Sequence, residues 1–329
     1  MSQFASPLPY QPMTIGQVLD RTYRLTRTNL RLFMTIALVP AGVFIVILAA
    51  LEAAFFIPLI RQFPKPPSPE TIAHLLNPAF MATFFALFLL FYGVIFGLYF
   101  AAANHAATQA DRSFATSFRE SCAFACANAG RYLWLIFLTY ALTFLPALVL
   151  HLATFASATY LAVEKPNPNP ALFLLVPLGM LLILAAFVYG ILMALRLSLA
   201  FPACVVERLP ARAALKRSGH LTQGAKGRIF LVLFVVYLIL YAAVMIFEVV
   251  VMFLAALAFL LVSLLHIQWA PPWSYIAIGC GVLCGLVFML LYTALSWTLL
   301  TSALAVLYHD QRLRTDPPLP APVPSGAPA

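Results

Sequence analysis

The chain has 329 residues, of which 64% are hydrophobic and only 9% are charged, and its mean hydropathy is +0.98. Soluble domains carry about 25% charged residues, so this composition excludes a soluble globular protein. The formal net charge of +9 would suggest nucleic-acid binding in a soluble protein. Here the positions of the basic residues explain that charge through membrane topology, so we expect no nucleic-acid partner.

Six apolar runs are each long enough to cross a membrane as a helix, which takes about 20 residues. They are Leu32–Ile60, Phe80–Thr108, Tyr132–Tyr160, Ala171–Ala200, Ile229–Leu265 and Ser274–Tyr308. These runs are rich in Leu, Ala, Val and Phe and lack the alternation of apolar and polar residues that marks the strands of a barrel. The sequence therefore predicts an all-α polytopic membrane protein whose six transmembrane helices form three hairpins.

The lysines and arginines are distributed very unequally between the two sides of the predicted spans. If the N-terminus is cytoplasmic, sixteen of them fall in or next to cytoplasmic segments, and only Arg61, Lys65 and Lys165 fall outside. Membrane proteins keep an excess of Lys and Arg on the cytoplasmic side. This split predicts that both termini are cytoplasmic.

A short basic stretch precedes each odd-numbered span. The three stretches are Thr14–Arg31, Ser113–Arg131 and Ala211–Arg228. The first contains Thr14-x-x-Gln17 and the second Ser117-x-x-Glu120, both of which fit the capping box that begins a helix. We therefore expect a short cytoplasmic helix before each hairpin.

All three of these helices are predicted to be interfacial and amphipathic, the second less strongly than the first. At 100° per residue the apolar arcs contain Ile15, Val18, Leu19, Thr22, Tyr23 and Leu25 in the first, and Ala211, Ala214, Leu215, Ser218 and Leu221 in the third. Basic residues occupy the other arcs, which is typical of a helix that lies in the headgroup region. The candidate residues for binding anionic phospholipid headgroups are Arg21, Arg24, Arg27, Arg212, Lys216 and Arg217.

The same landmarks recur at intervals of about one hundred residues. The basic residues before the odd spans, Arg31, Arg131 and Arg228, are 100 and 97 positions apart, and the hairpins end at Asp111, Glu207 and Asp310. We therefore predict three pseudo-repeats, 14–112, 113–208 and 211–312, between a flexible tail at 1–13 and a Pro/Ala-rich disordered tail at 313–329. The alternative is that any six-span protein contains three hairpins without duplication.

Three ionisable residues occupy matching positions in the odd spans. Glu52, His151 and Glu248 lie 20 or 21 residues after the basic landmarks, or about 30 Å along a helix. Around a shared axis they could converge to bind a divalent metal or to relay protons. The alternative is that each side chain lies separately at the outer interface. We predict no cofactor.

Two stretches resemble a known family. TIGQVLDRTYRLTRTNLRLF, residues 14–33, resembles the opening "ILDR-x-[YF]-RL-x-R-x-N" segment of uncharacterised bacterial multi-span proteins. ACVVERLPARAALKRSGHLTQGAKGRIF, residues 203–230, resembles the same family's "AL-x-RS-x-x-LT-x-G" segment. These proteins are similar to the membrane domain attached to some glycerophosphoryl diester phosphodiesterases. The resemblance implies a six-span domain of the bacterial inner membrane with no established reaction.

No stretch has the length or polarity of the soluble phosphodiesterase barrel, and the common phosphate-binding, zinc-protease and hydrolase motifs are missing from the sequence. We therefore predict a non-enzymatic scaffold, assembly factor or accessory subunit, which could also bind other membrane proteins. The alternative is a transporter of small molecules or lipids with a path between the repeats. Against it, no span shows the paired Gly/Pro breaks that transporters often have. An intramembrane enzyme that uses Glu52, His151 and Glu248 is the third possibility.

Overall fold

The structure, a computed structural model, describes residues 12–60, 77–111, 114–164, 175–264 and 271–316. These residues form ten helices and no strand. The helices are α1 (Ile15–Thr28), α2 (Leu30–Ile60), α3 (Pro78–Asp111), α4 (Phe118–Ala127), α5 (Ala129–Glu164), α6 (Leu175–Leu197), α7 (Ala200–Val206), α8 (Ala211–Leu221), α9 (Lys226–Leu264) and α10 (Pro271–Thr315). Six of the described segments are long and apolar enough to span a membrane, which confirms the predicted all-α polytopic fold. Arg61, Lys65, Arg112 and Lys165 lie outside the described residues.

Helices α1 and α4 begin where the sequence places their caps. In α1 the Thr14 hydroxyl accepts from the Gln17 N–H at 3.3 Å, and the Gln17 side chain accepts from the Thr14 N–H at 2.7 Å. This reciprocal pair is a complete capping box. In α4 the Ser117 hydroxyl accepts from the Glu120 N–H at 3.2 Å, while the Glu120 carboxylate accepts from Thr116 instead. Both caps satisfy amide groups that a helix start leaves without a partner.

The spans close into a ring in chain order. Helix α2 contacts α3, α3 contacts α5, α5 contacts α6, α6 contacts α9, α9 contacts α10, and α10 returns to α2. Helices α3 and α10 also contact each other across this ring, where the Tyr99 and Thr301 hydroxyls lie 3.1 Å apart. Three hairpins therefore follow one another around a common centre, as three repeats around an axis would. The duplication itself stays a prediction.

Most of the buried core lies at one end of the ring, which we call the charged end. It comprises α1, α4, α7 and α8, the first turns of α2, α5 and α9, and the last turns of α3 and α10. Its fully buried side chains include Val18, Asn104, Tyr132, Leu135, Leu199, Leu221, Ile229, Leu307 and Tyr308. Farther along the spans the large apolar side chains are exposed, as are Leu181 at 63% and Met252 at 70%. The hydrocarbon of a bilayer would cover those surfaces, because lipid tails are as apolar as leucine.

The fourth span contains a short interruption, although it lacks the paired Gly/Pro breaks that transporters often have. It consists of α6 and α7, with the break at Ser198 and Leu199. Pro202 accounts for the break, because it has no N–H for the Ser198 carbonyl four residues earlier. The Ser218 hydroxyl of α8 binds both sides of the break, donating to the Arg196 carbonyl at 2.8 Å and accepting from the Leu199 N–H at 3.2 Å. Ser218 of a neighbouring helix thus hydrogen-bonds backbone groups on both sides of the break.

The apolar faces of α1 and α8 are buried in protein. Val18, Thr22 and Leu25 of α1, and Ala211, Ala214, Ser218 and Leu221 of α8, are buried, and only Tyr23 of the predicted α1 arc is largely exposed. Helix α1 packs mainly on α10, and α8 packs mainly on α7 and α5. These faces therefore complete the core of the charged end and do not face lipid, whereas the position of the helices in the headgroup region stays a prediction.

Both predicted tail boundaries also need correction. Met13, assigned to the N-terminal tail, donates its N–H to Asp310 at 2.7 Å, and α10 continues past residue 312 to Thr315. Arg314 supports this last turn through its pair with Asp310 four residues earlier, at 3.1 Å. Residues 1–11 and 317–329 lie outside the described part of the chain.

Gly97 of α3 packs tightly against α5, and its replacement tests the packing of the ring. A Cβ atom at Gly97 would lie 3.2 Å from both the Ile136 and Leu133 side chains, whereas one at Gly285 of α10 would meet open space. We expect Gly97→Val to lower the free energy of unfolding by about 1–3 kcal/mol through overpacking. Gly285→Val is the matched control and should change stability little. Thermal melting of the purified protein in detergent compares the two, and equal melting temperatures would contradict this packing.

Candidate functional site

Each of the three acidic residues that end the hairpins pairs with an arginine at the charged end. Asp111, the last residue of α3, accepts from Nε and Nη2 of Arg21 on α1, at 2.9 and 2.7 Å. The Asp111 side chain is 6% exposed, and that of Arg21 is 27% exposed. Both bonds fall on the same carboxylate oxygen, Oδ1, so among the described residues Oδ2 keeps its acceptor capacity.

Asp310 is the most deeply buried of the three acids, with 0% of its side chain exposed. It pairs with Arg228 of α9 at 2.8 Å and with Arg314 of α10 at 3.1 Å, and it accepts the Met13 N–H. Both guanidinium groups also donate to the Met13 carbonyl. One buried carboxylate and two arginines thus join the beginning of the described chain to its last hairpin.

Glu207, after α7, is the centre of a second network. Its Oε1 accepts from Arg217 of α8 at 3.1 Å and from the Tyr308 hydroxyl of α10 at 2.6 Å. Arg217 also binds Asp316, and this hydrogen bond lowers the pKa of the Asp316 carboxyl below its usual value. The contribution of that pair to stability is therefore present at neutral pH and is lost as the pH falls through the lowered pKa.

The structure divides the six predicted lipid-binding residues into three sets. Arg21 and Arg217 bind the acids described above, so they hold helices together, and their assignment to lipid alone needs correction. Arg24 is 70% exposed and pairs with Asp20, 60% exposed, at 2.9 Å. Three side chains remain exposed and form no ion pair within the described residues; they are Arg27, Arg212 and Lys216. Sequence reasoning named Asp111, Glu207 and Asp310 as hairpin ends but missed their partners. Arg21 lies 90 residues from Asp111, whereas Arg217 lies only 10 residues from Glu207.

A polar pocket of about 440 Å³ opens beside the Arg21–Asp111 pair. It is lined by Arg21, Arg24, Leu25, Thr28, Asn29, Ala110 and Asp111. Asn29 joins α1 to α2, and Asp111 ends α3, so the pocket lies where the first two spans reach the charged end. It therefore combines cationic and neutral hydrogen-bonding groups with one carboxylate.

A second cavity is a groove of about 620 Å³ between α3 and α5. Leu89, Gly93, Ile136, Tyr140 and Leu148 are among its lining residues, none of which is charged. It lies within the spans, on the side of Gly97 that is farther from the charged end. Its apolar lining is suited to a hydrocarbon chain.

Glu52, His151 and Glu248 do not form a metal site in the structure. All three side chains are exposed. Within the described residues, no group of three His, Cys, Asp or Glu residues is placed to hold a metal ion. The ring places these residues on three spans, but the hypothesis of a shared metal centre finds no support. The five cysteines are free thiols.

Comparison of the chain with protein families, curated proteins and solved structures finds no match. The arrangement of charges and cavities is thus the basis for what can be proposed about function.

Removal of the Asp310 carboxylate tests whether the buried pair holds the charged end together. Asp310→Asn leaves the partly buried Arg228 without its anionic partner, so we expect a loss of about 3–5 kcal/mol in the free energy of unfolding. Asp20→Asn removes the acid from an exposed ion pair and should cost less than about 0.5 kcal/mol. Thermal or denaturant unfolding in detergent measures both variants. A loss for Asp310→Asn no larger than for Asp20→Asn would show that the network is not structural.

Proposed function

We propose that this chain is a non-enzymatic membrane protein that serves as a scaffold or accessory subunit, and that its charged end binds anionic phospholipid headgroups. One observation carries the proposal. The acids at the hairpin ends form ion pairs with other arginines. Arg27, Arg212 and Lys216 are exposed at the charged end and form no ion pair in the described part of the chain. Near an anionic membrane surface each such residue contributes about 1 kcal/mol of attraction.

The proposal includes an orientation. The charged end faces the cytoplasm of a bacterial cell, both termini lie on that side of the inner membrane, and the hairpins derive from three repeats. The excess of basic residues at this end supports the orientation through the positive-inside rule. The resemblance to bacterial six-span membrane domains supports the location.

The surfaces of the spans support a role as a partner for other membrane proteins. Only 11–29% of the most apolar stretch of each span is buried within the chain, so most of its intramembrane surface is available to lipid or to partner helices. A scaffold uses such surfaces because helices associate in a bilayer through close packing.

A transporter is the second candidate, and the interrupted fourth span favours it. Discontinuous helices often form substrate sites in transporters. Here, however, two backbone groups at the break, the Arg196 carbonyl and the Leu199 N–H, already bind the side chains of Ser218 and Thr222 in the α8 region. Co-purification followed by mass spectrometry distinguishes the two roles, because a scaffold retains a protein partner and a transporter retains a solute.

Neutralising the exposed cations tests the proposed lipid binding. The triple variant Arg27→Gln, Arg212→Gln, Lys216→Gln should retain phosphatidylglycerol roughly a hundredfold less well at low salt, and the difference should shrink at high salt. Native mass spectrometry of the detergent-purified protein titrated with lipid measures this retention.

The matched control removes three exposed ionisable groups far along the spans, as Glu52→Gln, His151→Gln and Glu248→Gln. This control should retain phosphatidylglycerol as the unmodified protein does. Equal retention by the cation-neutralised variant and the unmodified protein at low salt would refute binding of anionic headgroups at the charged end.

A further inference from the structure

We propose that the polar pocket beside the Arg21–Asp111 pair is a binding site for one phospholipid headgroup that carries both a phosphodiester and a hydrogen-bond donor. Phosphatidylethanolamine, with its ammonium group, and phosphatidylglycerol, with its hydroxyls, share this chemistry. The inference rests on the proposed function, since it names the class of lipid that the charged end takes, but it concerns one pocket and not the exposed surface charge.

The pocket lies where a headgroup would be found. Asn29 immediately precedes the first span and Asp111 ends the second, so the pocket is at the boundary between apolar helix and charged end. Headgroups occupy the region just beyond a hydrocarbon core about 30 Å thick. The Leu25 and Ala110 side chains supply an apolar part of the wall next to these polar groups.

One part of the pocket suits the phosphate. Arg24, Thr28 and Asn29 line it and offer a guanidinium, a hydroxyl and an amide. The pair between Arg24 and Asp20 is largely exposed on both sides, at 70% and 60%, so water screens it and Arg24 can turn toward a stronger anion. A guanidinium binds phosphate oxygens through paired hydrogen bonds, which makes arginine well suited to a phosphodiester.

Another part of the pocket suits a hydrogen-bond donor of the ligand. Asp111 contributes a carboxylate of which 6% is exposed, and within the described residues its hydrogen bonds with Arg21 fall on Oδ1. Oδ2 therefore has lone pairs to offer, and an anion placed against it would be repelled. A headgroup that carries an ammonium or a hydroxyl satisfies that oxygen, whereas the trimethylammonium of phosphatidylcholine has no hydrogen to donate.

The test compares phosphatidylethanolamine, phosphatidylglycerol and phosphatidylcholine with identical acyl chains, bound to the purified full chain and measured by native mass spectrometry. We expect phosphatidylethanolamine to bind about tenfold more tightly than phosphatidylcholine, which has the same net charge, because a hydrogen bond to a charged group has about that effect. A preference for phosphatidylglycerol is assigned to the pocket only where a pocket variant removes it, because its net charge also attracts it to the exposed cations.

Two neighbouring arginines on α1 provide the matched variants. Arg24 lines the pocket and Arg27 does not, although both are exposed. Arg24→Gln should abolish the preference for phosphatidylethanolamine over phosphatidylcholine, two lipids of equal net charge, and Arg27→Gln should preserve it. Ala110→Phe fills the pocket without changing any charge and should act as Arg24→Gln does, so the result does not depend on altering Asp111 and its structural pair.

Equal binding of the three lipids by the unmodified protein, or equal effects of Arg24→Gln and Arg27→Gln, would overturn the pocket assignment. If the triple neutralisation of Arg27, Arg212 and Lys216 still weakened phosphatidylglycerol binding, the proposed function would survive that result. Binding of water-soluble glycerophosphoethanolamine with no preference among the lipids would assign the pocket to a soluble phosphodiester and would also overturn the inference.

Discussion

The burial of the Asp310 carboxylate is the constraint on which the charged end depends. A carboxylate withdrawn from water is tolerated only when cations and hydrogen-bond donors surround it, and here Arg228, Arg314 and the Met13 amide do so. Those three groups come from three separate places in the chain. Satisfying one acid therefore fixes how α1, α9 and α10 meet and closes the ring between the first hairpin and the last.

Asp111 and Glu207 also pair with arginines, but these arginines lie on different helices. Asp111 binds the helix that precedes its own hairpin, whereas Glu207 binds α8, which precedes the next one. Together the three acids make the charged end a protein core in its own right, with the apolar faces of α1 and α8 buried inside it. Farther along the spans no comparable network is found among the described residues, and the helices present their apolar side chains to the membrane.

The basic residues of the charged end differ in role: some stabilise the packing of the helices, and others are exposed and available to bind a ligand. Arginines that reach a buried acid stabilise the helix arrangement, because removing either partner would leave an uncompensated charge. Arg27, Arg212 and Lys216 have no such acid within the described residues and face outward, which suits contact with a charged membrane surface. Arg24 lies between the two groups, since its exposed partner Asp20 leaves it able to turn toward the polar pocket.

The sequence by itself determined the all-α fold, the six spans, the short helices before the hairpins and the caps at Thr14 and Ser117, because hydropathy, length and capping are local properties. Local pattern also identified the apolar arcs of α1 and α8 almost residue for residue. Local pattern could not tell whether those arcs face lipid or protein, since both environments favour the same side chains.

The environment of those arcs is visible only in the tertiary structure, as are the pairs of Arg21 with Asp111, Arg217 with Glu207 and Arg228 with Asp310. The tertiary structure also shows that Glu52, His151 and Glu248 form no metal-holding group. Equal spacing along three helices does not bring side chains together unless the helices turn the right faces inward, and helix rotation is set by packing across the whole ring.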